Sequence, residues 1–252
     1  MKLLDATRDR LLPHLDRLEI VFQHHLFASQ ASAGVPREQW HETPISETDL
    51  AAVMARTDNI HALVLDIEGG WPLNNGPWGA DDWVTPELAE AGRRAYAQLA
   101  RDIRCAGYTG RISGYNIGSL HLSHNDASSQ LDAVIEHSIR MVEAVNDDEP
   151  VGPVDVCDFL CPAFYPYGVS AESPEAWASH MGQKLDFMER WNKTVIPLIT
   201  PAMPDGTLCP WLDEQVAYLT SRAPLVEAIG VWAGPGVPTA QPADWLSIGV
   251  SD

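Results

Sequence analysis

From Asn59 onward, short runs rich in β-branched and other apolar residues alternate with longer amphipathic stretches. This alternation limits the possible folds more than any other feature of the chain. The runs are Ala62 to Glu68, Arg111 to Ile117, Val154 to Phe164, Thr194 to Thr200 and Ala228 to Trp232. Between them lie Pro86 to Ala106, Ala127 to Val145, Pro174 to Asn192 and Leu212 to Ser221, each with apolar residues at helical spacing. Strands separated in this way pair in parallel, because each helix carries the chain back to the same end of the sheet. Strand starts recur about every 35 to 50 residues, the length of a βα unit that carries a functional loop.

Helix punctuation agrees with this division. Thr85-Pro86-Glu87 places a capping hydroxyl, a first-turn proline and a first-turn carboxylate together, Ala106-Gly107 ends the same stretch, and Ser173-Pro174-Glu175 repeats the device. The first 60 residues read less regularly, with a helix expected over Asp5 to Leu15, one strand over Leu18 to Phe27, and a long loop over Ser29 to Glu47. The expected fold class is therefore α/β, a (β/α) TIM-type barrel with fewer than eight regular strands. A chain of 252 residues, 45% hydrophobic, suits one such barrel over residues 1–252, irregular or incomplete over 1–60.

Charge and cysteine usage narrow the function. The formal net charge is −19, with 35 acidic against 16 basic residues and no basic patch, so nucleic acid is not an expected partner. No run approaches the roughly 18 to 20 uncharged apolar residues of a membrane span, and the charged start is unlike a signal peptide. A soluble chain is expected, cytoplasmic or exported by another route. Cys105, Cys157, Cys161 and Cys209 are too sparse for a disulfide framework and lack C-x-x-C spacing, so they read as buried, reduced thiols. Cys157 and Cys161, four apart in an expected strand, should face the same side. The pairs His24-His25 and His121-x-x-His124 lack recognised ligand spacing, so neither a metal nor a cofactor is expected; no G-x-S-x-G, P-loop or dinucleotide fingerprint occurs.

The segment from His61 to Pro72 carries the chemistry. It is an apolar strand that ends in Asp66-Ile67-Glu68 and then Gly-Gly-Trp71-Pro72. Alternation puts Asp66 and Glu68 on one face at the carboxyl end of a barrel strand, where barrel enzymes place catalytic groups. Two neighbouring carboxylates do not ionise independently, so one stays protonated and serves as a general acid for glycosidic cleavage. Glu68, nearer the strand end, is assigned the acid and Asp66 its partner. The plainer reading is that the pair caps the following loop or binds an arginine.

Other polar and aromatic residues fall at later strand ends: Tyr115 and Asn116, then Asp158 with Tyr165 and Tyr167, then Thr200, then Trp232. Aromatic rings stack on the apolar faces of sugars, while amides and hydroxyls bond sugar hydroxyls. Taken singly, each aromatic reads equally well as core packing. Trp71, Trp78 and Trp83 are candidate sugar platforms or loop anchors.

The order of these motifs resembles barrel glycosidases of the chitinase and hyaluronidase type. A D-x-E-x-W-R-P-like run in hyaluronidases is similar to Asp66-Ile67-Glu68-Gly69-Gly70-Trp71-Pro72, and later landmarks resemble Gly114-Tyr115, Pro162-Ala-Phe-Tyr165 and Gly230-Val-Trp232-Ala-Gly234. His61 and Val64 occupy the earlier acidic places of the chitinase pattern, and the arginine of the hyaluronidase run is absent. The resemblance implies Glu68 as acid, Asp66 as the residue orienting a substrate acetamido group, Tyr165 as its support and Trp232 as the sugar platform. Leu65-Asp66-Ile67-Glu68, Gly107-Tyr108 and Tyr115 also resemble lysozyme-like muramidase barrels. The expected function is a glycosidase acting on a carbohydrate polymer; the alternative is a non-catalytic carbohydrate-binding or structural barrel.

Overall fold

In a computed structural model, residues 1–7, 12, 14–67, 85–120, 135, 138–139, 152–203, 205 and 207–232 are described. Six parallel strands form one sheet: β1 (Lys2–Asp5), β2 (Asp16–Phe22), β3 (Ile60–Asp66), β4 (Arg111–Gly114), β5 (Leu198–Ile199) and β6 (Ala228–Val231), in the order β4-β3-β2-β1-β6-β5.

The two sheet edges meet through segment 160–163. Tyr115 bridges Cys161 on the β4 side, while Leu160 bridges Val195 and Ala163 bridges Leu198 on the β5 side, all parallel. The Asn116 amide donates to the Cys161 carbonyl at 3.0 Å, and the Leu198 amide donates to the Pro162 carbonyl at 2.8 Å. Six strands and this segment thus make a closed ring in which spatial neighbours are also sequence neighbours. Closure removes the exposed edges that a curled open sheet leaves unpaired.

Period-two alternation divides the side chains into layers. Leu4, Leu18, Val64, Phe159, Ile196 and Leu198 fill the lumen, fully or almost fully buried. Val21, Leu63, Leu65 and Ile112 point outward against α3 (Glu47–Met54) and α4 (Pro86–Cys105). On the other flank, Ile199 and Ile229 pack under α5 (Pro174–Met188) and α6 (Leu212–Ser221). Burying each large aliphatic side chain contributes roughly 1.5–3 kcal/mol. The expected caps form: the Thr85 hydroxyl accepts from the Leu88 amide at 3.2 Å and the Ser173 hydroxyl from the Ala176 amide at 3.1 Å. Two glycines permit close approach: a Cβ on Gly114 would lie 2.0 Å from the Tyr96 hydroxyl of α4, and one on Gly230 would lie 2.6 Å from Leu198 in the lumen.

The N-terminal region departs from expectation. Lys2–Asp5 is a strand and Leu15 is a bend just before β2, so the described residues of the expected Asp5 to Leu15 helix are not helical; residues 8–11 and 13 lie outside the described residues. The apolar run from Leu18 breaks at Phe22, after which Gln23–Leu26 turns into the short helix α1. The expected loop after it holds helix α2 (Ala28–Ser32) and a 3-10 turn over Arg37–Glu42. Cys157 and Cys161 do not share a face: Cys157 packs outside the ring and Cys161 inside it, because residues 153–156 form a turn rather than extended chain. Cys105 is exposed and the other three cysteines are buried; all four are free. The expected helix over Ala127 to Val145 falls almost wholly outside the described residues.

Two buried charged features are placed outside the lumen. On the outer face of β1 and β2, Arg17 pairs with Glu19 at 2.7 Å and with Asp5 at 3.6 Å, and Arg56, just beyond α3, reaches Glu19 at 2.7 Å. On α5, Lys184 is 9% exposed, donates only a long 3.4 Å bond to the Ala163 carbonyl and lies 6.0 Å from the Phe164 ring. No carboxylate among the described residues pairs with it, and burial lowers its pKa to about 8. The unfolded chain therefore holds the Lys184 proton more tightly, so this group's contribution to stability is least favourable below pH 8 and improves as pH rises toward the ordinary lysine value. Replacing Lys184 with methionine is expected to stabilise the fold by about 1–3 kcal/mol at pH 7. Urea unfolding of both proteins at pH 7 and pH 9.5 checks this. The gap should narrow at the higher pH, whereas a variant less stable at pH 7 would refute the reading.

Candidate active site

Asp66 closes β3 with its side chain on the lumen side, because Ala62 and Val64 face inward while Leu63, Leu65 and Ile67 pack outward. It is 9% exposed and lines a cavity of about 230 Å³ at the carboxyl ends of the strands. Tyr115, Tyr165 and Trp232 line the same cavity. Sequence reasoning placed all four of these residues at strand ends, and the folded ring brings them together.

The aromatic wall has defined geometry. The Tyr165 and Trp232 rings stack with centroids 5.2 Å apart and planes at 23°, and Tyr167 meets Tyr165 edge-on at 5.9 Å. Burial, with Tyr115 and Cys161 close by and Asp66 in range, raises the Tyr165 pKa well above the ordinary tyrosine value. Its hydroxyl lies within hydrogen-bonding reach of the Tyr115 hydroxyl. Trp232 is anchored through its amide, which donates to the Ile199 carbonyl at 2.8 Å.

The remaining sequence candidates lie elsewhere or act differently. Asn116 adopts a left-handed conformation (φ 57°) and accepts from the Ala163 amide at 2.8 Å through its side-chain oxygen. It ties segment 160–163 to the end of β4 and so fixes the spacing of Tyr115 and Tyr165; it does not line the cavity. Asp158 is a correction. It accepts from the Ile112 amide at 2.7 Å and pairs with Arg104 at 2.5 Å, at the amino-terminal end of β4 and so at the opposite mouth of the ring. The turn before segment 160–163 puts it there, too early in its stave to reach the carboxyl end. Thr200 is buried, accepts from the Ala202 amide at 3.3 Å and does not line the cavity. Tyr167 is 39% exposed at the rim. Glu68, Trp71, Trp78 and Trp83 lie outside the described residues, as do His121 and His124.

The β2 side of the cavity escaped sequence reasoning. Ile20, Phe22, Gln23 and His24 line it, joined by Arg37 from the 3-10 turn. They were missed because Leu18 to Phe27 read as one unbroken strand. The polar triplet Gln23-His24-His25 inside that apolar run is the available signal of a break. The His24 and His25 rings lie 4.1 Å apart on α1. Gln23 is 7% exposed, and its side-chain nitrogen is buried with no hydrogen-bond partner among the described residues. Leaving such a group unmatched costs roughly 1–3 kcal/mol. Arg37 is exposed, with its guanidinium 5.9 Å from the centre of the Trp40 ring.

Among the described residues, no group of three or more His, Cys, Asp or Glu side chains is placed to hold a metal ion, and no helix is long and apolar enough to cross a membrane.

The ring of parallel strands and the helices packed around it form an α/β barrel. The chain is similar to bee venom hyaluronidase, with a TM-score of 0.64 and 12% sequence identity over 93% of this chain and 91% of that one. At that identity the likeness establishes the fold. Weaker matches are a GH5_18 protein from Bifidobacterium longum subsp. longum (TM-score 0.43, 13% identity, 93% of this chain and 70% of that one) and a Podospora anserina GH26-CBM35 beta-(1,4)-mannanase (TM-score 0.36, 12% identity, 87% and 57%). No protein-family model matches the chain, and no curated protein matches it.

Proposed function

We propose that this protein is a glycoside hydrolase that cleaves a carbohydrate polymer in the cavity around Asp66. The observation that carries this reading is the position of Asp66, a carboxylate at the carboxyl mouth of a closed barrel, sharing a cavity with Tyr115, Tyr165 and Trp232. At about 230 Å³ the space is below the 300–1,000 Å³ usual for drug-sized ligands and suits one sugar ring. The stacked Tyr165–Trp232 pair offers an apolar face to that ring, and the mutually hydrogen-bonded Tyr115 and Tyr165 hydroxyls lie beside it.

In this reading Glu68 gives its proton to the glycosidic oxygen as the bond from that oxygen to the anomeric carbon breaks. Asp66 orients the group that supports the positive charge on that carbon, and water then adds to it while a proton returns to Glu68. The D-x-E motif and the hyaluronidase-like fold support these roles.

The test is release of reducing ends from chitin, hyaluronan, peptidoglycan and a neutral glucan, by the unaltered protein and by Asp66→Asn. Release from one polymer, lost in the variant, is expected. Silence on all four would overturn the reading in favour of a barrel that binds carbohydrate without cutting it.

A further inference from the structure

We infer that Gln23 is a specificity-determining residue of this site, donating a hydrogen bond from its side-chain amide to an oxygen substituent of the bound sugar; this rests on the proposed glycosidase reading. Three observations converge on it. Gln23 follows directly on β2, the neighbour of β3, and lines the cavity that Asp66 lines. Its side chain is more than nine-tenths buried, yet its nitrogen has no partner among the described residues. The fold also holds the residue firmly in place: the Gln23 carbonyl accepts from the Phe27 amide at 3.1 Å, closing the single turn of α1, and Leu26 and Phe27 are buried behind it.

A buried amide that the protein leaves unmatched is a standing cost to the empty site, and a ligand acceptor removes that cost. The surroundings identify the acceptor. On the same side Ile20 and Phe22 have no polar side-chain atoms, and the polar neighbours His24 and Arg37 are more exposed than Gln23. On the neighbouring strand β3, Asp66 is the register partner of Phe22, and Tyr115 and Tyr165 line the same cavity. A sugar ring lying on Trp232 would then meet Asp66 and the Gln23 amide from adjacent strand ends. Its substituents on the Gln23 side must be oxygens able to accept, either hydroxyl or carbonyl. An analogue lacking that oxygen is discriminated against, because it leaves the amide unmatched.

The experiment uses the full chain in the inactive Glu68→Gln background, with tetrasaccharides of chitin, hyaluronan, peptidoglycan and a neutral glucan as probes, and binding read by calorimetry. Gln23→Leu is expected to weaken binding of the recognised tetrasaccharide about ten- to a hundredfold. Its melting temperature should be unchanged or higher, since an unmatched amide has been removed. Gln23→Glu, which keeps the shape but replaces the nitrogen donor with oxygen, is expected to lose binding to a similar degree. A loss confined to Gln23→Leu would mean that the residue acts through packing and would overturn the inference, as would unchanged binding in both variants. Either result leaves the glycosidase reading standing if the unaltered protein cleaves the parent polymer. If it neither binds nor cleaves any probe, the glycosidase reading fails and the inference fails with it.

Discussion

Replacing Glu68 with glutamine is expected to lower glycan hydrolysis by about 100- to 10,000-fold, the contribution of a positioned general acid, while polymer binding changes little. The substitution keeps the size and hydrogen-bonding reach of the side chain but removes the transferable proton. Glu68 stands two residues after Asp66 in the D-x-E sequence motif, and that motif is the ground for assigning it the acid's role. Steady-state rates and affinity electrophoresis on the cleaved polymer separate the two effects. Turnover within twofold of the unaltered protein would remove Glu68 from the mechanism, and loss of binding in parallel with turnover would make it a binding residue instead.

The second large effect concerns the fold. Glu19, 4% exposed, accepts from Arg17 and Arg56, and Arg17 also reaches Asp5 and the Thr7 carbonyl. Glu19→Leu leaves the buried Arg17 guanidinium without its closest counter-charge. Asp5 is a poor substitute, at 3.6 Å and already accepting from the Thr7 amide and hydroxyl. Arg56, about a third exposed, can turn toward water. Breaking one side of a buried pair costs about 3–5 kcal/mol, which for a chain of this size lowers the melting temperature by roughly 6–20 °C. The double variant Arg17→Met with Glu19→Leu should recover most of that loss, since the stranded charge is gone. Thermal unfolding of the three proteins decides it: a single-variant loss below about 1 kcal/mol, or a double variant no better than the single, would show that the network contributes little.

The sequence was legible where one signal dominated. Helices α4, α5 and α6 were marked by apolar periodicity, the first two also by capping residues, and β3 by an unbroken apolar run ending in a carboxylate. The lumen-facing quartet Asp66, Tyr115, Tyr165 and Trp232 followed from strand ends alone. Segment 160–163 was less legible: it closes the ring through isolated bridges, and the turn before it moves Asp158 to the wrong mouth. Lys2–Asp5 is only four residues long and lies just ahead of the expected Asp5 to Leu15 helix, overlapping it at Asp5 alone. Gln23, His24 and Arg37 were invisible as site residues, since their place depends on where β2 stops and on a contact between segments distant in sequence. No local pattern encodes that contact.

The most direct measurement is the crystal structure of Glu68→Gln with a tetrasaccharide of whichever polymer the unaltered protein binds or cleaves. The account predicts a sugar ring against the Tyr165–Trp232 pair, with one substituent in hydrogen-bonding range of Asp66 and another in range of Gln23. A tetrasaccharide bound elsewhere on the barrel, with the Asp66 cavity containing only water, would contradict it.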